Sequence, residues 1–166
     1  MTLVIIYTII SFLLDGLMAN FTNFSLTNLS YFTTIYSVIA LVIIYNYFNN
    51  DQKYLKILII LGILFDIVYT NTFILNIFIF LIIYFVLKSI NTYLPNNLFV
   101  INIKALLAII IYHTLSFVIL SLANYSNYSI KLYLSVLSHN LIMTIIYTSI
   151  SYLIIKKYII KSIIKR

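Results

Sequence analysis

Long apolar runs broken by short polar clusters organise this chain. The first run extends from Leu3 to Phe21 and is interrupted by Asp15-Gly16. The polar patch Thr22-Asn23-Phe24-Ser25-Leu26-Thr27-Asn28 follows, and a second run covers Ser30 to Phe48. Asn49-Asn50-Asp51-Gln52-Lys53 reads as a loop. From Leu55 to Leu87 the chain is apolar apart from Asp66 and Thr70-Asn71-Thr72. Pro95-Asn96-Asn97 is a turn signal within the segment Lys88 to Lys104. Two more runs, Ala105 to Ala123 and Leu132 to Ile155, flank the polar stretch 124–129. A helix needs about 20 apolar residues to cross roughly 30 Å of hydrocarbon. The runs fit that length, and they lack the period-two alternation of a membrane β-barrel.

The stretch Leu55 to Leu87 is too long for one span, because a single helix there would be about 50 Å long. The sequence predicts two shorter helices of about 16 residues turning near Thr70-Asn71. Charge placement supports that division. With six spans and an inner N-terminus, Lys53, Lys56, Lys88, Lys104, Lys156, Lys157, Lys161, Lys165 and Arg166 fall inside and only Lys131 falls outside, a 9:1 split. Five spans give at best 7:3. Positive residues concentrate on cytoplasmic segments, so six spans with both termini cytoplasmic are expected. Residues 1–166 read as one integral membrane domain, and the first run reads as a retained span.

Composition agrees. Of 166 residues, 64% are hydrophobic and 8% charged, whereas a soluble domain carries about 25% charged residues. A soluble globule and a disordered chain are both excluded. There is no cysteine, which removes disulfides, thiolate metal sites and cysteine nucleophiles. The two glycines, Gly16 and Gly62, cannot form a phosphate-binding loop. The net charge of +7 is distributed as juxtamembrane loops and a basic tail, a pattern that suits an anionic leaflet rather than nucleic acid.

Candidate chemistry is sparse. Asp15 and Asp66 are the intramembrane carboxylates, and each needs a reason to be there. In the six-span arrangement they share the outer half of the bundle with His139 and Asn140, so the four side chains are expected to be able to meet there. Three readings stay open: packing hydrogen bonds, contact with a partner's transmembrane helix, and a proton relay or substrate site. His113 reads as a packing histidine. The histidines and aspartates are too scattered for metal-ligand spacing. Tyr45, Tyr47, Tyr93, Tyr125, Tyr128, Tyr152 and Tyr158 stand at run ends, where an interfacial aromatic belt is expected. No nucleophile–base–oxyanion arrangement is visible, and the broken helices of channels and transporters have little support. Neither catalysis nor a cofactor is expected. The chain reads as a scaffold of packed helices that holds other membrane proteins.

The stretch Lys56 to Thr70, with Gly62 four residues before Asp66, resembles the signature of the rod shape-determining MreD family. In that family an apolar segment carries a glycine, then an aspartate, then a turn and an apolar hairpin partner. The length, the six expected spans, Asp15 and the basic tail agree with it, and Asn140 is a weaker echo. Family members usually place glycine after the turn, where this chain has Asn71 and Asn76. The resemblance implies an all-α six-helix bundle, similar to the S components of energy-coupling factor transporters. It also implies a non-catalytic subunit of the bacterial cell-elongation complex in the cytoplasmic membrane, acting in cell shape and lateral peptidoglycan synthesis. Its implied partners are an MreC-like single-span protein, a RodA-type glycosyltransferase and a class B penicillin-binding protein. Asp15, Gly62, Asp66, His139 and Asn140 are then candidate structural or interface residues. The alternative is a vitamin-binding S component, although the alanine patch usual in its first span is reduced here to Ala19.

Overall fold

The computed structural model describes residues 2–21, 34–46, 51–70, 72, 74–123 and 129–164. It is all-α. Six helices follow one another: α1 (Thr2–Phe21), α2 (Tyr36–Tyr45), α3 (Asp51–Phe65), α4 (Leu75–Tyr93), α5 (Leu98–Leu122) and α6 (Ile130–Ile164). A single π-helical turn, Asp66–Thr70, ends α3. Among the described residues three segments, Leu75–Tyr93, Leu98–Leu122 and Tyr133–Lys157, are long and apolar enough to cross a membrane.

The shortest helix lies at the centre. All ten residues of α2 are buried. A helix that is apolar on every side has no reason to prefer one face, and Tyr36–Tyr45 consists of Val, Ile, Leu, Ala and Tyr with one serine. At 1.5 Å per residue it is only about 15 Å long, half the hydrocarbon thickness. The other five helices surround it. Ile and Leu cover their outer faces, as at Ile6, Ile9 and Leu13 of α1 and Ile146, Ile150 and Leu153 of α6. In lipid such faces need no burial; close packing and polar contacts hold the helices together.

The α3–α4 hairpin shows how small residues permit that packing. A Cβ added to Gly62 would lie 2.9 Å from the Ile77 Cα and 3.1 Å from its N. The obstruction is backbone, so it cannot rotate away. Gly62→Ala should therefore separate α3 from α4 and cost about 1–3 kcal/mol, as overpacking does. Unfolding in mixed micelles measures this; an unchanged midpoint would show that the hairpin yields without cost.

Several boundaries differ from the sequence reading. The division expected within Leu55 to Leu87 is present, with helix ending at Thr70 and α4 beginning at Leu75; Asn71 and Phe73 lie outside the described residues. The segment Lys88 to Lys104, read as an inner loop, is largely helical. Helix α4 runs on to Tyr93 and α5 begins at Leu98, leaving 94–97 as the connection. The basic tail, read as following the last span, continues α6 as helix to Ile164. Tyr45 and Tyr152, assigned to the interfacial belt, are instead buried. Tyr45 stacks edge-on against Tyr54 and Tyr84, with ring centroids 4.9 and 5.7 Å away. Tyr93 is 86% exposed, as a belt residue would be. Tyr47, Tyr125 and Tyr128 lie outside the described residues.

Candidate functional site

Helix α2 needs its ends satisfied. Its N-cap residue, Ile35, has no side-chain oxygen and makes no capping bond. The first N–H groups of a helix have no intrahelical acceptor, and within hydrocarbon each unpaired group costs several kcal/mol. Asp15, from α1, supplies the acceptors. Its Oδ1 accepts from the Tyr36 N–H at 2.7 Å and its Oδ2 from the Ser37 N–H at 2.9 Å. The carboxylate also sits at the positive end of the helix dipole. The structure thus gives a distinct physical role to an aspartate that the sequence left open.

The opposite end of α2 carries the complementary charge. Its C-cap residue Asn46 offers Oδ1 to the Lys104 ammonium at 3.1 Å. Asn96 accepts from the same ammonium at 2.9 Å, and Asn91 also accepts from it. Lys104 is fully buried. An ammonium has three donors, and these three bonds use all of them. They join the end of α2, the end of α4 and the turn into α5. The sequence reading counted Lys104 as an inner-loop charge and missed the junction. The nearby Asn46, Asn91, Asn96 and Asn97 were the available signal, since a buried cation needs several acceptors close in space.

Asp66 anchors the hairpin tip. Its Oδ1 accepts from Thr72 Oγ1 at 2.6 Å, from Asn76 Nδ2 at 2.8 Å and from the Asn76 backbone N–H at 3.0 Å. Tyr112 on α5 then donates to Asn76 Oδ1 at 2.7 Å. Asn76, which stands where the resembling family usually has glycine, is thus the residue that ties Asp66 to α4 and α5. The tip also departs from regular backbone. It contains the π-helical turn, and Ile74 has φ 69°, a left-handed value that a β-branched residue rarely adopts. Among the described residues, Asp66 Oδ2 is buried and has no hydrogen-bond partner. Such irregularities concentrate where structure serves function.

His139 and Asn140 belong to a third group. Asn140 Nδ2 lies 2.7 Å from His113 Nε2, joining α6 to α5. With the amide donating, His113 accepts at Nε2 and keeps its proton on Nδ1. His139 Nδ1 turns back to the Ser135 carbonyl on its own helix at 2.8 Å. The four polar residues expected to meet are thus distributed over the α2 N-terminus, the hairpin tip and the α5–α6 seam. No described hydrogen bond links Asp15 to Asp66. Tyr69 connects their neighbourhoods, donating to the Phe12 carbonyl on α1 at 2.6 Å. Among the described residues no group of three or more His, Cys, Asp or Glu could hold a metal ion.

These contacts also define two ends of the bundle. At one end lie Asp15, Asp66, His113 and Asn140. At the other lie the starts of α3 and α5 and the ends of α2, α4 and α6, with Lys53, Lys56, Lys88, Lys104, Lys156 and Lys157. Asp51 is the acid at this basic end. It accepts from Lys88 Nζ at 2.8 Å and from Tyr84 at 3.1 Å, tying the start of α3 to the end of α4. The hydrogen bond from Lys88 holds the Asp51 carboxyl below its ordinary range. Searches against family models, curated proteins and solved structures found no match to this chain.

Proposed function

We propose that this protein is a non-catalytic, six-span membrane scaffold with both termini in the cytoplasm, acting as an MreD-like subunit of a bacterial cell-elongation complex. The observation that carries the reading is the α3–α4 hairpin. Gly62 and Asp66, the two residues on which the family resemblance rests, both hold that hairpin together, one by allowing close approach and the other by binding the start of α4. The basic end, which carries all the described lysines except Lys131, supports placing it in the cytoplasm. Helices α1, α2 and α3 are then the remaining spans, with the short α2 shielded from lipid by its neighbours.

In this reading the irregular hairpin tip faces the extracytoplasmic side and receives an MreC-like single-span protein. The exposed apolar face of α3 and its π-turn, Ile60, Ile63, Ile67 and Val68, lies beside the tip and offers a surface for a transmembrane helix. The test is affinity purification of the full chain from its own host, with the MreC-like protein measured by mass spectrometry. Wild type should retain it. Ile63→Trp and Ile67→Trp, on the outer face, should lower recovery about tenfold while the chain still inserts and folds. Unchanged recovery would remove this face from the interface. Absence of the MreC-like protein from wild type, together with a co-purifying vitamin, would replace the scaffold by the transporter S component.

A further inference from the structure

The hairpin tip contains one acceptor that its own donors do not reach. The hydroxyls of Thr70 and Thr72 lie 2.6 Å apart, and Thr72 Oγ1 donates to Asp66 Oδ1 at 2.6 Å. A hydroxyl has a single proton, so Thr70 is the donor within the threonine pair. The Asn76 side-chain amide gives one proton to Asp66 Oδ1 and the other to Thr70 Oγ1, at 2.8 and 2.9 Å. The Asn76 backbone N–H also goes to Oδ1, and the Tyr112 hydroxyl goes to Asn76 Oδ1. Every proton of these groups is committed. Asp66 Oδ2 receives none of them, although Asp66 is only 3% exposed. Turning a threonine hydroxyl toward Oδ2 would take the donor from another acceptor. Asp15 differs, since both of its oxygens accept.

Charge is unbalanced at the same atom. Among the described residues the only ion pair is Asp51 with Lys88, at the opposite end of the bundle. A buried carboxylate is costly unless it is paired or binds a metal ion. The backbone beside it adds to the negative potential. The π-helical turn Asp66–Thr70 is where α3 ends. The last carbonyls of a helix have no intrahelical donor, and that end is the negative pole of the dipole. Broken helices inside membranes coordinate sodium with carbonyls of this kind. A single carboxylate among neutral oxygens balances one positive charge. Calcium takes 6–8 oxygens, several of them from carboxylates, and the described residues offer no cluster of acids.

We propose that the hairpin tip binds one small monovalent cation, sodium, against Asp66 Oδ2. The ion supplies the positive charge that the donors of the tip do not, and it fixes the π-helical turn against the start of α4. This inference concerns the hairpin alone and does not rest on the elongation-complex reading.

The full-length protein in mixed micelles is heated in sodium chloride and in choline chloride of equal ionic strength, with helicity followed by circular dichroism. Sodium at a hundredfold excess over its dissociation constant should raise the midpoint by roughly 5–10 °C. Radioactive sodium should bind the purified chain saturably. Asp66→Asn keeps an oxygen to accept from Thr72 and Asn76 and removes the charge, so the midpoint shift and the sodium binding should both be lost. Asp51→Asn, at the opposite end, should keep both. Equal wild-type midpoints in sodium and choline would overturn the proposal whether or not Asp66→Asn folds. So would saturable sodium binding that persists in Asp66→Asn. A response to calcium without one to sodium would also overturn it and assign the tip to a divalent ion. Wild-type helicity of Asp66→Asn before heating separates lost binding from lost folding.

Discussion

Lys104→Met should be strongly destabilising, costing about 2–4 kcal/mol, because the half-buried Asn46 and Asn91 oxygens lose their donor at about 1–3 kcal/mol each, offset in part by no longer burying an ammonium. Methionine matches the stem of lysine and fills the space, so packing is nearly conserved. What is lost is the ammonium, and with it the donor for three amide oxygens on Asn46, Asn91 and Asn96. Asn46 and Asn91 are half-buried, so water replaces the donor there only in part, whereas Asn96 is exposed and readily hydrated. Asn91→Ala or Asn96→Ala removes one acceptor of three and should cost about 1–2 kcal/mol. The combination K104M/N46L/N91L/N96L removes donor and acceptors together. It should recover much of the loss, since replacing a whole polar cluster by apolar groups is often nearly neutral. Unfolding in mixed micelles followed by circular dichroism measures all four. A wild-type midpoint for K104M would show that the ammonium contributes nothing to the junction.

That lysine also shows where the sequence stops being informative. The helical class, the long apolar runs and the break between Thr70 and Leu75 follow from apolar length and polar interruption, both local properties. The hairpin of Gly62 and Asp66 was legible for the same reason, since its contacts lie within about fifteen residues. Helix α2 was legible as apolar but not as central. A segment apolar on all sides has no periodicity to show what surrounds it, and its ten-residue length emerged only from the structure. Its two charged contacts come from Asp15 on α1 and Lys104 on α5, 21 and 58 residues from the groups they bind. Nothing in local spacing encodes such a pairing. The burial of Lys104 was not legible, because a lysine beside a turn and before an apolar run has the same sequence pattern whether it faces solvent or the interior. The expected meeting of Asp15, Asp66, His139 and Asn140 rested on depth alone. Depth places residues in one layer of the membrane without saying which helix face carries each of them.

Asp15→Leu should have an effect of similar size at the other end of α2. The substitution leaves the Tyr36 and Ser37 N–H groups without the carboxylate that accepts from them, at about 1.5–3 kcal/mol for each charge-assisted bond. It also removes the negative charge from the positive end of the helix dipole. Because Ile35 cannot cap the helix, no local residue takes over, and the expected loss is about 3–6 kcal/mol from the two bonds together. Asp15→Asn keeps one acceptor oxygen and turns the other into an NH2 donor, so one N–H stays bonded and about half the loss should remain. The order wild type, then Asn, then Leu separates hydrogen bonding from bulk, because leucine and asparagine have similar reach. Equal stability of the Asn and Leu variants would mean that charge alone, and not the paired acceptors, holds the start of α2. With α2 loosened, α1 loses its main neighbour, so hydrogen exchange should rise along Tyr36–Tyr45 and α1 before it rises in the α3–α4 hairpin, which Asp66 and Gly62 hold independently.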